Sequence, residues 1–319
     1  MKDSEAPGKT QLKPHQQGGL LAAGAFLMWG VLPIYFKWLG DISSLEVVAH
    51  RAFWSFVFGG LLLVATRQLP GLVAVLRDIR LLAYLALTAV LVGANWLVFV
   101  WAVAEDRILD ASLGYYINPI MNMILGYLIL NEKMRRLQQV AAGLAVMGVS
   151  VAVIKFGAVP WVALFLAVTF GLYGLIRKQV PVNAQTGLFL ETTLMLPLAL
   201  GYLIWVDSPT ANLLHNSWDV NTLLVLAGPF TMAPLILFAA GAKRIQLTTL
   251  GFLQYIGPSL MFLIAVFIYG EPLTMDKSVT FGFIWMALVL VSLDAMGLGR
   301  KTVGPVPPPE PEATQCADK

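Results

Sequence analysis

A single cysteine, Cys316, occurs in 319 residues, and it lies past the last apolar run. That scarcity excludes a disulfide framework and any cysteine-based metal cluster. The three histidines, His15, His50 and His215, are too scattered to hold a metal. Neither a Gly-rich phosphate loop nor a P-loop lysine is found, so no cofactor is implied. Charge is also sparse: 12% of residues are Asp, Glu, Lys or Arg, and the net charge of +3 is spread over short loops, with no nucleic-acid footprint. The chain abounds instead in hydrocarbon. It is 58% hydrophobic with a mean hydropathy of +0.76, more than a soluble domain of this length can hide from water. The expected partner is the lipid bilayer.

Apolar runs of spanning length fall near 18–38, 46–66, 81–103, 110–131, 137–155, 158–177, 187–206, 222–242, 247–270 and 278–297. Each can cross roughly 30 Å of hydrocarbon as a helix. Alternation of barrel type is missing, so the fold class is an all-α integral membrane protein with ten transmembrane helices. The first run is too long for a signal-peptide core and is followed by nine comparable segments. Residues 1–17 read as a polar arm and 298–319 as a Pro-rich tail that cannot continue a helix. In a ten-span path, sixteen lysines and arginines fall on one side and four, Lys37, Arg107, Lys155 and Lys277, on the other. The positive-inside rule then places both termini in the cytoplasm.

The two halves repeat. Ala102, Arg107, Ile108, Leu113 and Gly114 recur 137 positions later as Ala239, Arg244, Ile245, Leu250 and Gly251, and after a two-residue insertion Pro119/Pro258 and Glu132/Glu271 stay in step. The repeats span 18–155 and 158–297. Five spans is an odd number, so the second copy enters the membrane upside down. Inverted repeats let one central site open alternately to either side, which points to a secondary transporter. The alternative is duplication that merely built a stable scaffold, for instance for a membrane enzyme.

The stretches "FLMWGVLPIYFKWL", "HRAFWSFVF", "VGANWLVFVWAV", "ASLGYYINPIMN", "YGLIRK", "AQTGLFLET" and "LGFLQYIGPSLMFLIAVFIYGE" together resemble the RarD branch of the EamA-type drug/metabolite transporter superfamily. The resemblance covers residues 18 to 297. It implies a bacterial inner-membrane permease, multi-pass, with two five-helix EamA repeats, in a branch linked by name to chloramphenicol sensitivity and without an agreed list of binding residues. Asn131 stands where relatives more often carry Gly before the glutamate.

Site residues therefore come from the physics of the spans. Pro119 and Pro258 lie about ten residues into theirs, where each removes a backbone hydrogen bond and kinks its helix. Interrupted segments in corresponding halves point to a transporter's binding site. Tyr115, Asn118 and Asn122 share one face at three- and four-residue spacing, and Gln254 and Tyr255 flank the second kink. Buried amides face a cavity or another helix. Asn95 is a further mid-span amide, and Trp29, Trp96, Trp101 and Tyr173 supply aromatic surface for a small organic solute, or packing and interfacial anchors.

Charged residues at the span ends carry two readings. Lys37, Glu46, His50 and Arg51 cluster at the external edge, and Arg177 with Glu191 at the cytoplasmic edge. They are alternating gates, or they are snorkelling side chains and surface ion pairs. Glu132 and Glu271 end Pro-kinked helices where the dipole disfavours a carboxylate, so each needs a partner or helps start the next helix. The sequence reads as a permease moving small organic metabolites or drugs by alternating access, in the export direction that the resemblance suggests; a homodimer is allowed for. The rival is a membrane-embedded enzyme acting on a lipid-linked substrate through Glu46, His50 and Arg51. It lacks a second catalytic constellation, and the continuous ring of charge a passive channel needs is missing.

Overall fold

A computed structural model describes residues 13–295 apart from 41, 105–107, 158–159, 207, 209, 211–212, 215 and 271–274. Arg107, His215, Glu271, Cys316, the polar arm before residue 13 and the Pro-rich tail thus lie outside the described residues, as does the Lys277 side chain. Helices run in the order α1 (Pro14–Trp38), α2 (Ser44–Ala65), α3 (Leu69–Leu76), α4 (Ile79–Ala104), α5 (Ile108–Ile129), α6 (Arg136–Phe156), α7 (Trp161–Gln179), α8 (Ala184–Trp205), α9 (Trp218–Ala242), α10 (Leu247–Gln254), α11 (Ile256–Phe267) and α12 (Met275–Ala295). The chain is all-helical among the described residues, as expected. Eight spans, with α10 and α11 taken together, are long and apolar enough to cross a membrane. α5 and α12, at 22 and 21 residues, equal them in length.

Local chemistry sets the ends. Pro14 opens α1, where its missing N–H costs nothing, and the Asn183 side chain accepts from the Gln185 amide to start α8. Gly40, Gly157 and Gly270 take positive φ just past helices, and so does Asn131 at φ 51°. Asn tolerates the left-handed region better than other side chains, so it serves the turn before Glu132 that Gly270 serves before residue 271. Pro258 splits its span: its ring opposes the carbonyl four residues back, at Gln254, and the helix breaks at Tyr255. Pro119, by contrast, sits inside an uninterrupted α5.

The main helix contacts recur when the halves are exchanged. α2 lies on α8, α5 on α10 and α6 on α12; the α1–α9 contact has its counterpart in α7–α4, α5–α7 in α11–α1, and α2–α9 in α8–α4. Helices approach closely where the side chain is missing. A Cβ on Gly251 would stand 2.6 Å from the Pro119 carbonyl oxygen, so α10 rests directly on the backbone of α5. α1 begins and α12 ends on one face, called the terminal face here, and the ends of α1 and α11 meet at the opposite, far face, where the Lys37 ammonium sits 3.5 Å over the Tyr269 ring.

Candidate functional site

Arg51 lies seven residues into α2, about 10 Å from its far end at 1.5 Å per residue. Its side chain turns inward. Nε donates to the Thr231 hydroxyl at 2.9 Å, and Thr231 sits thirteen residues into α9, about 20 Å from that helix's far end. Snorkelling would take the guanidinium the other way. Thr231 is itself fixed by a 2.7 Å bond to the Ala227 carbonyl. The guanidinium carbon stands 4.7 Å over the Trp96 ring and 5.9 Å over Phe36, with Tyr35 and Tyr115 in electrostatic reach.

Exposure along α5 marks where this space ends. Tyr115, Asn118 and Asn122 share one face, opposite the outward-facing Ile124 and Leu128, yet Tyr115 is 39% accessible, Asn118 6% and Asn122 0%. The accessible surface of Tyr115 is therefore interior, a vestibule wall shared with Phe99, 6.2 Å away. Below it two hydrogen bonds join the halves. Asn122 Nδ2 donates to Gln254 Oε1 at 2.6 Å, and the Tyr255 hydroxyl to the Tyr116 carbonyl at 3.2 Å. Of the expected amide cluster at the prolines, Asn122 and Gln254 thus join helices, while the Oδ1 atoms of Asn118 and Asn122 are buried without a protein partner among the described residues. Asn95 likewise joins helices, donating to the Leu166 carbonyl and the Thr169 hydroxyl, both at 2.9 Å. Trp101 packs on Trp161 at 5.3 Å near the far face.

Towards the terminal face an aromatic plug follows. Trp29, Phe170 and Phe238 hold centroids 5.2–5.8 Å apart, and Tyr173 stacks on Phe238 at 6.2 Å. Beneath it Arg177 and Glu191, both 0% exposed, approach to 3.6 Å. Thr88 and Tyr173 donate their hydroxyls to Glu191 at 2.6 and 3.3 Å, and Arg177 Nη2 donates to the Ala184 carbonyl at 3.1 Å. Gly187 makes room: a Cβ there would overlap the Arg177 guanidinium. The expected partners Arg177 and Glu191 are thus brought together as a buried ion pair.

The EamA-like transporter family model matches residues 16–154, which coincide with α1 to α6. An "Uncharacterized transporter" of Vibrio cholerae serotype O1 is 52% identical over 294 residues, 91% of this chain and 97% of the relative. "Protein RarD" of Salmonella typhimurium is 48% identical over 91% of this chain and 99% of its own, and that of Escherichia coli K12 46% over 91% and 98%. The chain belongs to the EamA-like transporter family, in its RarD branch. A solved structure titled "Crystal structure of protein" is similar in fold, with TM-score 0.68 at 20% identity, over 89% of this chain and 99% of that one. This RarD-branch chain is accordingly a multi-pass membrane transporter of the drug/metabolite type.

Further polar groups of this EamA transporter lie at its two faces. At the far face Lys37 is spent on Tyr269, while Glu46 accepts from the Ser208 hydroxyl at 2.7 Å. His50 lies one turn along the same helix face, with both ring nitrogens buried and no protein partner among the described residues. At the terminal face Glu132 accepts from the amides of Leu247 and Thr248 and the Thr248 hydroxyl at 2.7–2.9 Å, capping α10 in the other half. Lys178 Nζ lies 3.8 Å from Glu132 and donates to the Ala242 and Ile245 carbonyls. Lys243, just past α9, donates to the Val182 carbonyl. Burial, with Arg177 and Arg244 nearby, pushes its ammonium down to about 8. Sequence reasoning missed Thr88, Thr231, Phe36 and Phe238. Single hydroxyls and phenyl rings in apolar runs carry no signal until the helices are placed.

Proposed function

We propose that the chain is a ten-pass, alternating-access carrier that moves a small organic metabolite or drug out of the cell across the bacterial inner membrane, with both termini in the cytoplasm. One observation supports this most: a polar, aromatic-walled vestibule is accessible at Arg51 and Tyr115, while at the terminal side the plug and the Arg177–Glu191 pair are closed to solvent. A carrier caught open to one face has this asymmetry, and inverted halves supply the means to reverse it. The packing that survives exchange of the two halves, residues 18–155 and 158–297, supports the repeat reading.

Cysteine labelling tests the asymmetry. In a Cys316→Ser background, Tyr115→Cys reacts with a membrane-impermeant maleimide added to the outside of intact cells, and Thr192→Cys, buried beside the seal, does not. Labelling of Thr192→Cys with a silent Tyr115→Cys would reverse the assignment of faces. Purified protein in sealed proteoliposomes then moves organic solutes down an imposed gradient; failure to move any member of a broad metabolite and drug panel overturns the carrier reading.

A further inference from the structure

The two halves treat one register position differently. Arg51 and Glu191 each stand seven residues after the first residue of α2 and α8, which pack on each other. Phe36 and Arg177 each stand two residues before the end of α1 and α7. In the second half these positions form the buried ion pair at 3.6 Å. In the first half Arg51 faces Phe36 at 5.9 Å, so the counter-charge is replaced by a phenyl ring. Among the described residues no carboxylate reaches Arg51, whose single hydrogen bond there is the one from Nε. Among the described residues its two Nη atoms have no protein acceptor, yet they are absent from the atoms sealed off without a partner, which include Nε and Nη1 of Arg177. The fork of Arg51 therefore opens into the vestibule.

An uncompensated Arg within a membrane helix is costly. An arriving anion offsets that cost, and a neutral solute does not. The bond to Thr231 and the Trp96 face fix the guanidinium plane, leaving its paired N–H groups in the geometry that suits a planar carboxylate. Trp96, Phe36, Phe99 and Tyr115 line the remainder with aromatic surface. We infer that the transported solute is an organic acid with an aromatic or apolar body, whose carboxylate is received by Arg51. This rests on the carrier reading and names its substrate class.

The test is equilibrium dialysis of radiolabelled benzoate, phenylacetate and indole-3-acetate, each against its uncharged amide, on the purified full chain in detergent. The acids bind saturably and at least tenfold more tightly than the amides. Arg51→Gln abolishes that difference by weakening the acids alone, while Arg51→Lys retains a reduced preference, since it keeps the charge but loses the fork. Equal affinity for acid and amide, no saturable binding of any acid, an Arg51→Gln variant that binds acids as wild type does, or full displacement of the acids by an equal concentration of sodium chloride would each overturn the inference. Flux of the same panel in proteoliposomes separates the two claims. Movement of neutral or cationic solutes without acids removes the anion site and leaves the carrier; acids bound but never moved do the reverse.

Discussion

Arg51 and Arg177 are two arginines in one bundle with opposite fates. Arg177 is wholly buried and lies against Glu191, and Gly187 clears the space for its guanidinium. Arg51 has Thr231 and an indole face, and both of its Nη amino groups left over. Each site lies where two consecutive spans meet, α1 with α2 and α7 with α8, so the scaffold itself tolerates either a self-satisfied charge or an open one. The difference lies in who supplies the counter-ion: the protein at the terminal face, an incoming molecule at the far face.

The comparison breaks first at the sealed end. Glu191→Ala leaves Arg177 buried without its acid, and loss of one partner of a buried pair costs about 3–5 kcal/mol. The expected result is a large drop in thermal stability in detergent, with Glu191→Gln intermediate because it still accepts from Thr88 and Tyr173. Arg51→Gln removes no protein ion pair and should leave the melting temperature within a degree or two of wild type. Equal losses for Glu191→Ala and Arg51→Gln would erase the distinction between the two sites.

A smaller effect, about 2 kcal/mol, is expected for Glu132→Ala, which strips three donors at the start of α10 of their acceptor. Glu132→Gln should recover part of it. Hydrogen exchange would locate the loss at the Leu247 and Thr248 amides, and unchanged protection there would contradict the cap. The smallest effect concerns pH. The Lys243 ammonium titrates near 8 in the folded chain against 10.5 for the free side chain. Between those values the unfolded state binds more protons, so stability rises with pH across that window, and the penalty is fully present below about pH 8. Lys243→Met should flatten that rise in pH-dependent melting curves; a slope that persists would assign it to another group.

Much of the architecture was legible in the sequence because hydrocarbon length is a local property. Spans drawn at 46–66, 137–155 and 222–242 meet helices at Ser44–Ala65, Arg136–Phe156 and Trp218–Ala242. The turn before Glu132 was less legible: Asn131 stands where relatives more often carry Gly, and only the structure shows it at φ 51°. The Pro258 break was readable as an interrupted helix. Side-chain direction was not. Arg51, about two turns into α2, suits either escape to the surface or a reach to Thr231, and only the placement of α9 decides. Likewise Asn122 and Gln254 are 132 residues apart, and their choice of each other follows from how α5 crosses α10.

The cap at the start of α10 belongs to a glutamate from the opposite half. Neither half, produced alone, can complete that terminus, and the same crossing puts bare backbone of α10 on the Pro119 carbonyl. A gene cut in the linker near residue 158 would thus yield two fragments that are mutually required, and co-expression, rather than separate purification, is the route by which they would reassemble.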